Sequence, residues 1–312
     1  MELSLNQNPP LISIITPSFN RSDLIGQAVE SVLKQDYFPV EHLIIDGGST
    51  DGTLDLLAQF PHLKVVSERD SGMYDALNKG LKLAQGEIVG FLNTDDLYAP
   101  EVLKEVAPYF GNPEVEAVVG RAEFFRAGKD GDLEIVREIT PSSPENLLKQ
   151  TVLGSPIFNA WFFRRSMFER IGVFNTGYRI VADREFMIRL ALAGIVYART
   201  EHLVYRYRQH AGSLTFNEDQ TFLTEILQEH LKLMDSFRRK AGLPDKARQY
   251  LQERRTQDTL RMAAFRLHRW ELGQVWFYAC EGIRSDWTWP LKFLILVLGW
   301  LIHSVTKRVS GG

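Results

Sequence analysis

Four short apolar runs within the first 96 residues constrain this chain more than any other feature. They are Leu11 to Thr16, Glu41 to Asp46, Leu63 to Ser67 and Glu87 to Leu92. Runs of this length suit strands buried on both faces of a parallel sheet. Helical patterns separate them. Leu24, Ala28, Val29, Val32 and Leu33 share a helical face in a segment capped by Ser22 or Asp23 and reaching about Gln35. Thr53 opens a second helix, and Asp75 to Gln85 forms a third that stops at Gly86. The alternation β-α-β-α-β-α-β with short connections predicts a doubly wound α/β sheet.

Ligands of such sheets collect at the carboxyl ends of the strands. Every strand end here is polar: Ser18 and Asn20, Asp46, Glu68 and Asp70, then Asp95 and Asp96. Four in succession describe one crevice. The turn Gly47-Gly48-Ser49-Thr50-Asp51-Gly52 can carry positive φ angles and lets backbone approach a ligand closely. Adjacent carboxylates such as Asp95 and Asp96 are costly without a cation, and a hard divalent ion carrying a diphosphate would relieve them. The competing reading makes the pair a cap for a helix opened by Pro100. No G-x-G-x-x-G follows the first strand and no G-x-x-x-x-G-K-[ST] occurs, which turns the reading away from dinucleotide and P-loop chemistry.

With 312 residues the chain has room for one large domain and an appendage. The single cysteine, Cys280, allows no internal disulfide and fits a reducing cytoplasm. Residues Met1 to Pro10 form a polar tail without the apolar core of a signal peptide. The net charge of −3 conceals an asymmetry: residues 2–235 carry 22 Lys/Arg against 33 Asp/Glu, and residues 236–312 carry 14 against 6. A basic tail on an acidic body points to an anionic contact, either a membrane leaflet or nucleic acid.

The segments Ile14-Ile15-Thr16-Pro17-Ser18-Phe19-Asn20, Ile44 to Thr53, Asp70-Ser71-Gly72-Met73-Tyr74-Asp75-Ala76-Leu77-Asn78-Lys79-Gly80 and Asn93-Thr94-Asp95-Asp96 resemble the family-2 inverting glycosyltransferases, in that family's order and spacing. The likeness is dense over the first third and thinner to about Ser213. It implies the GT-A fold, a Rossmann-like, mostly parallel sheet flanked by helices. It also implies a nucleotide-diphosphate sugar as donor, most readily a UDP-sugar. Carried over residue by residue, it implies that Thr16, Pro17 and Asn20 line the nucleotide pocket and that Asp46 accepts from a uracil-type base. Asp70 and Lys79 would lie near base, ribose or diphosphate, and Asp95 near ribose or metal. Asp96 would bind Mn²⁺ or Mg²⁺, with His210 as a second ligand. In the context Ala182-Asp183-Arg184-Glu185-Phe186, Asp183 corresponds to the family's catalytic base, and Glu185 is the reserve. Each has a plainer reading: a turn-forming Asp46, a solvated Lys79, an N-cap at Asp183, a loop histidine at 210.

On this reading residues 11–216 form the transferase domain, with 11–96 its nucleotide-sugar half and 97–216 its acceptor half. The run Ile157 to Phe163 would floor the acceptor side. Arg206 and Arg208 would steady leaving-group charge or lie exposed on a strand. Residues 217–312 form a helical, basic extension. Its run Phe293 to Ile302 is too short to span a bilayer. Trp287, Trp289 and Trp300 beside Lys and Arg suit an interfacial helix, or one packed on the body or on a second copy in a homo-oligomer. The expected partners are the donor, a saccharide or lipid-linked acceptor of cell-envelope polysaccharide synthesis and a membrane surface, not nucleic acid. The expected place is the cytoplasm, peripheral on the inner face of the membrane. Two other readings keep the fold: a sugar-phosphate nucleotidyltransferase, disfavoured without a basic triphosphate loop, and a non-catalytic nucleotide-sugar-binding subunit.

Overall fold

A computed structural model describes residues 9–128, 132–141, 143–155, 157–210 and 219–310. The first eight residues of the N-terminal tail, residues 129–131 of the charged hairpin connection, Ala211-Gly212-Ser213 and the boundary near 217 lie outside the described residues. Two compact units divide the chain. One comprises residues 1–151 and 155–217, the other residues 152–154 and 218–312.

The first unit is built on one sheet. Strands β1 (Ile12–Ser18), β2 (Val40–Asp46), β3 (Leu63–Ser67) and β4 (Ile88–Phe91) alternate with helices α1 (Ile25–Leu33), α2 (Thr53–Leu57) and α3 (Met73–Leu83). These four strands pair in parallel in the order β3-β2-β1-β4. Beyond β4 the chain adds β5 (Leu97–Tyr98), helix α4 (Val102–Val106), β6 (Ala117–Ala127) and β7 (Leu133–Ile139). Helix α5 (Leu147–Leu153), β8 (Trp161–Arg164), α6 (Met167–Ile171), α7 (Ala182–Leu192) and β9 (Tyr197–Arg208) follow. The sheet continues from β4 through β8, β6 and β9 to β5, with β7 paired to β6. Here the parallel character gives way: β8 runs antiparallel to both β4 and β6, and β5 antiparallel to β9. Antiparallel neighbours let the second half return to the same sheet without further crossover helices.

The expected strand positions in the first half coincide with observed strands; β1, β2 and β4 are buried almost throughout, but β3, at the edge of the sheet, is largely exposed and not buried on both faces. Helix α3 lies close on β1: a Cβ on Gly80 would overlap the Ile15 side chain. This explains a glycine inside a helix, where it otherwise costs stability. The aromatic core of the second half joins Phe91, Phe158, Phe163, Phe168, Phe174 and Phe186 by ring contacts of 5.1–6.2 Å. The run 157–163 contributes a 3₁₀ turn at Phe158–Ala160 and the buried strand β8.

The second unit contains α8 (Gln220–Arg238), α9 (Asp245–His268), α10 (Leu272–Ser285) and α11 (Trp289–Ser310). Helix α9 is central, with α8, α10 and α11 packed against it. Trp289, expected at a membrane interface, is instead 2% exposed and donates to Thr259 Oγ1 at 3.1 Å. Gly282 makes room for its indole. Much of the tail's basic charge is neutralised internally. Arg254 pairs with Asp258 at 2.7 Å, while Arg255 pairs with Asp235 at 2.7 Å and Glu281 at 2.8 Å. Among the described residues no helix is long and apolar enough to cross a membrane.

Candidate active site

The turns after β1 and β2 are laced together. Asn20, at φ +51°, donates its N–H to Ser49 Oγ at 2.7 Å and accepts from Thr50 N at 2.9 Å. Arg21 N donates to Thr53 Oγ1 at 2.9 Å, and Ser22 N to Asp51 at 3.0 Å. Gly48 and Gly52 take the positive φ values, +89° and +91°, that the glycine-rich turn requires.

Asp46 holds this turn. Its carboxylate accepts from Gly48 N at 3.0 Å, Ser49 N at 2.8 Å, Ser67 Oγ at 2.8 Å and the Ser49 hydroxyl. Burial alone would raise its pKa, but the hydrogen bonds led by Ser49 outweigh that and hold it below the ordinary value. The side chain is fully buried among these turn contacts. Thr16 is likewise fully buried and bonded to His42 Nε2 at 2.9 Å, and Pro17 is buried beside it. Lys79 is engaged by Glu68 at 2.9 Å, Asp75 at 3.8 Å and the Arg69 carbonyl at 2.9 Å.

Asp70 lies beside the glycine-rich turn. A Cβ on Gly47 would come within 2.8 Å of Asp70 Oδ2 and 3.3 Å of the Phe19 ring. Asp70 Oδ1 accepts from Gly72 N at 2.9 Å, and the neighbouring Phe19 is 59% exposed.

The acidic pair is no helix cap. Leu97 and Tyr98 form β5, and Glu101, at φ +61°, precedes α4. Instead Asp96 points inward, accepting from Tyr205 Oη at 2.8 Å, Arg208 N at 2.8 Å and Asn93 Nδ2 at 3.2 Å. Burial, and then the negative charge of Asp95, raise its pKa well above the ordinary carboxylate range. A carboxylate offers about four lone-pair positions, so three donors leave one for a further partner. Asp95 lies 3.0 Å from His210 Nε2, and its carbonyl accepts from Arg208 Nε at 2.8 Å. The oxygen and imidazole donors of Asp95, Asp96 and His210 fit a divalent cation of the Mg²⁺ or Mn²⁺ type. Among the described residues, however, no group of three or more such side chains is arranged to hold a metal ion.

Asp183 stands in the first turn of α7, partly buried, and is not the cap residue, which is Val181. Burial raises its pKa, countered in part by Arg184 and the Tyr74 hydroxyl. Glu185 is buried and held by Arg189 Nε at 2.9 Å, which leaves Asp183 as the carboxylate available at this helix start. Helix α3 fixes the approach to α7: Tyr74 Oη donates to Ile180 O at 2.9 Å, and Asn78 exchanges hydrogen bonds with Phe174 at 2.9 and 3.0 Å.

Two residues that sequence reasoning passed over join the acidic groups. Tyr205 and Tyr207 pack on one face of β9 with ring centroids 4.5 Å apart and ring planes tilted by 52°. Asn159 donates to the hydroxyls of both, at 3.0 and 3.3 Å. Burial first, then the charges of Asp96 and Asp183, push the Tyr207 hydroxyl far above its ordinary pKa, so both acids act on one buried phenol. The signal was present: Asn159 is the one polar residue in the run Ile157 to Phe163, and the tyrosines alternate with Arg206 and Arg208. Arg206 turns to Glu123 at 2.7 Å, while Arg208 lies on the Asp95–Asp96 side.

An α/β sheet with an acidic crevice at its parallel strand ends is the fold of known nucleotide-sugar enzymes. The chain is similar in structure to the mannosyltransferase PcManGT from Pyrobaculum calidifontis in complex with GDP-Man and Mn²⁺. That likeness has a TM-score of 0.59 and 20% identity over 95% of this chain and 81% of that one. It is similar to S. aureus TarS 1-349 in complex with UDP-GlcNAc, at TM-score 0.61 and 19% identity over 88% and 81%. The fold is GT-A. Residues 13–172 match the model of glycosyl transferase family 2. A PGL/p-HBAD biosynthesis glycosyltransferase of Mycobacterium bovis is 33% identical over 229 residues, covering 70% of this chain and 84% of its own. An uncharacterized glycosyltransferase of Nostoc is 26% identical over 95% of this chain and 91% of its own. The chain belongs to glycosyl transferase family 2.

Proposed function

We propose that this protein is an inverting, metal-dependent glycosyltransferase that moves a sugar from a nucleotide-diphosphate donor to a hydroxyl of a saccharide or lipid-linked acceptor. The observation that carries this is the single polar network containing Asp95, Asp96, Asn159, Tyr205 and Tyr207, with Asp183 acting on the same buried phenol. The base of the donor lies on the exposed Phe19 ring, and its N–H donates to Asp70 Oδ2, while Asp46 and Asn20 hold the turns beneath. Asp95, Asp96 and His210 would hold the divalent cation, which supplies charge neutralisation for the departing diphosphate. Arg208 braces the pair by gripping the Asp95 carbonyl.

Asp183 takes the proton of the acceptor hydroxyl as its oxygen forms a bond to the anomeric carbon. The bond from that carbon to the diphosphate breaks, and its electron pair leaves with the diphosphate. One displacement with no enzymic nucleophile inverts the anomeric centre. The burial that raises the Asp183 pKa makes its carboxylate a stronger base.

The metal-dependent reading is supported by PcManGT, a structural neighbour recorded with Mn²⁺, and a UDP-sugar donor by TarS with UDP-GlcNAc. The helical unit meets an anionic membrane surface. Trp276 and Trp287 are 72% and 85% exposed, beside the exposed Arg284 and Lys292. Such contact would favour a lipid-linked acceptor.

Thermal stabilisation by UDP, GDP, CMP and TDP, each with Mn²⁺ or chelator, tests the donor site. One nucleotide is expected to raise the melting temperature only with metal, and Asp96→Asn to abolish the shift. No shift with any of them would point to a non-catalytic scaffold.

A further inference from the structure

The geometry points to an anion site within the helical unit, where the pocket between the end of α8 and the start of α9 binds a phosphate ester. The site stands apart from the transfer reading and does not depend on it. The pocket holds about 480 Å³ and opens to solvent, within the roughly 300–1,000 Å³ of small-ligand sites. Asp235, Arg238, Arg239, Arg248 and Gln252 line it, with no apolar side chain among them. The sequence brings them together through a short turn. Gly242, at φ +74°, reverses the chain after α8, and α9 packs back against that helix. Residues of the last turn of α8 thereby share one pocket with residues of the first turns of α9.

The balance of charge sets this pocket apart from the rest of its unit. Arg254, Arg255, Arg266 and Arg269 each pair with a carboxylate at 2.6–2.7 Å. Among the described residues, neither Arg239 nor Arg248 does so. Arg248 donates only to the Leu243 carbonyl, at 3.2 Å. The one carboxylate in the wall is already engaged: Asp235 Oδ1 accepts from Arg255 Nε at 2.7 Å and from Arg238 Nη1 at 3.3 Å. Gln252 is turned to the Ser285 carbonyl at 2.7 Å, which leaves the guanidinium groups as the donors for a ligand. Arg248 also stands in the first turn of α9, where the helix dipole disfavours a cation and favours an anion. A bound anion would relieve both conditions at once. Three guanidinium groups against one carboxylate leave an excess of about two charges, which a phosphate monoester matches near neutral pH. The planar guanidinium fork also takes phosphate oxygens two at a time. Since no apolar side chain lines the pocket, the esterified group extends outward, as it would on a soluble compound or on a lipid headgroup.

Two probes test the site on the full chain. Glycerol 3-phosphate is titrated calorimetrically in chelator, so that no divalent ion takes part, and flotation follows phosphatidylcholine vesicles carrying phosphatidic acid. The variant Arg239→Gln with Arg248→Gln removes the two guanidinium groups that lack a carboxylate. The control, Lys34→Gln with Lys104→Gln, removes two exposed charges of the first unit. Wild type is expected to bind saturably, the arginine variant about tenfold more weakly, and the control as wild type, all with one melting temperature. Weakened binding of glycerol 3-phosphate with unchanged flotation assigns the site to a soluble phosphate ester. Reduced flotation on phosphatidic acid, with or without weakened binding of the soluble probe, assigns it to a lipid headgroup. The site is overturned if wild type binds neither probe or if the arginine variant binds both as wild type does. Equal weakening in the control overturns it as well, since the effect would then be one of net charge.

Discussion

Asp183 and Asp46 show how the same residue type takes opposite roles in one crevice. Burial raises Asp183, so its ionised form is the disfavoured one. Its contribution to stability is intact below the ordinary carboxylate pKa and falls as pH climbs through the raised value. The acid limb of the transfer rate should therefore lie above the ordinary carboxylate pKa. Asp183→Asn should abolish transfer, keep nucleotide binding and melt no lower than wild type at neutral pH; residual transfer above a thousandth of wild type would remove Asp183 as the base. Asp46 runs the other way, its ionised form being favoured by the turn it holds. Its contribution is present at neutral pH and is lost as pH falls through its lowered value. Asp46→Ala leaves Gly48 N, Ser49 N and Ser67 Oγ without their acceptor and should cost on the order of 3 kcal/mol in chemical denaturation. An unchanged denaturation midpoint would mean that the turn does not depend on it.

At the scale of elements, the spacing of α3 from β1 sets the crevice. Gly80 permits the contact with Ile15, and Tyr74 and Asn78 on the same helix fix the segments that lead into α7. Gly80→Ala forces a methyl group into Ile15 and should cost about 1–3 kcal/mol. Because α3 also positions the approach to Asp183, the turnover rate should fall further than nucleotide affinity. Equal losses in both would mean that α3 supports only the fold. Strand β9 plays the matching role on the other side, carrying Tyr205, Tyr207 and Arg208 to Asp95 and Asp96.

At the scale of the whole molecule, the helical unit carries less free positive charge than its composition suggests, since Arg254 and Arg255 are enclosed in ion pairs. Membrane contact then rests on exposed aromatic residues as much as on charge. Removing residues 287–312 would take Trp289 out of the core of that unit and confound the test. Trp276→Ser with Trp287→Ser is the cleaner variant. Wild type should float with anionic phosphatidylserine vesicles, less with neutral phosphatidylcholine, and the double variant with neither, at an unchanged melting temperature. Equal flotation of wild type and variant would remove the aromatic contact.

How much of this was legible beforehand depended on whether neighbours in sequence are neighbours in space. The strands β1, β2 and β4 and the polar strand ends were legible because apolar runs are local signals that a covered sheet enforces, whereas helix starts shifted: α1 begins at Ile25 with Leu24 as its cap and not Ser22 or Asp23, and α3 begins at Met73 and not Asp75. The resemblance of the motifs to family 2 was equally local, since each lies in one turn and the adjoining strand. What stayed hidden was nonlocal or directional. Whether Thr16 and Asp46 face ligand or interior depends on which strands cover them, and Trp289 reads as interfacial until α9 is laid against it. The meeting of Asn159, Tyr205 and Tyr207 with Asp96 joins residues up to 111 positions apart through antiparallel strands that share no motif. Thus the sequence by itself determined the repeating α/β plan and the acidic crevice. Only the tertiary structure decided which carboxylates point into it, because side-chain direction follows from packing between distant elements and not from spacing along the chain.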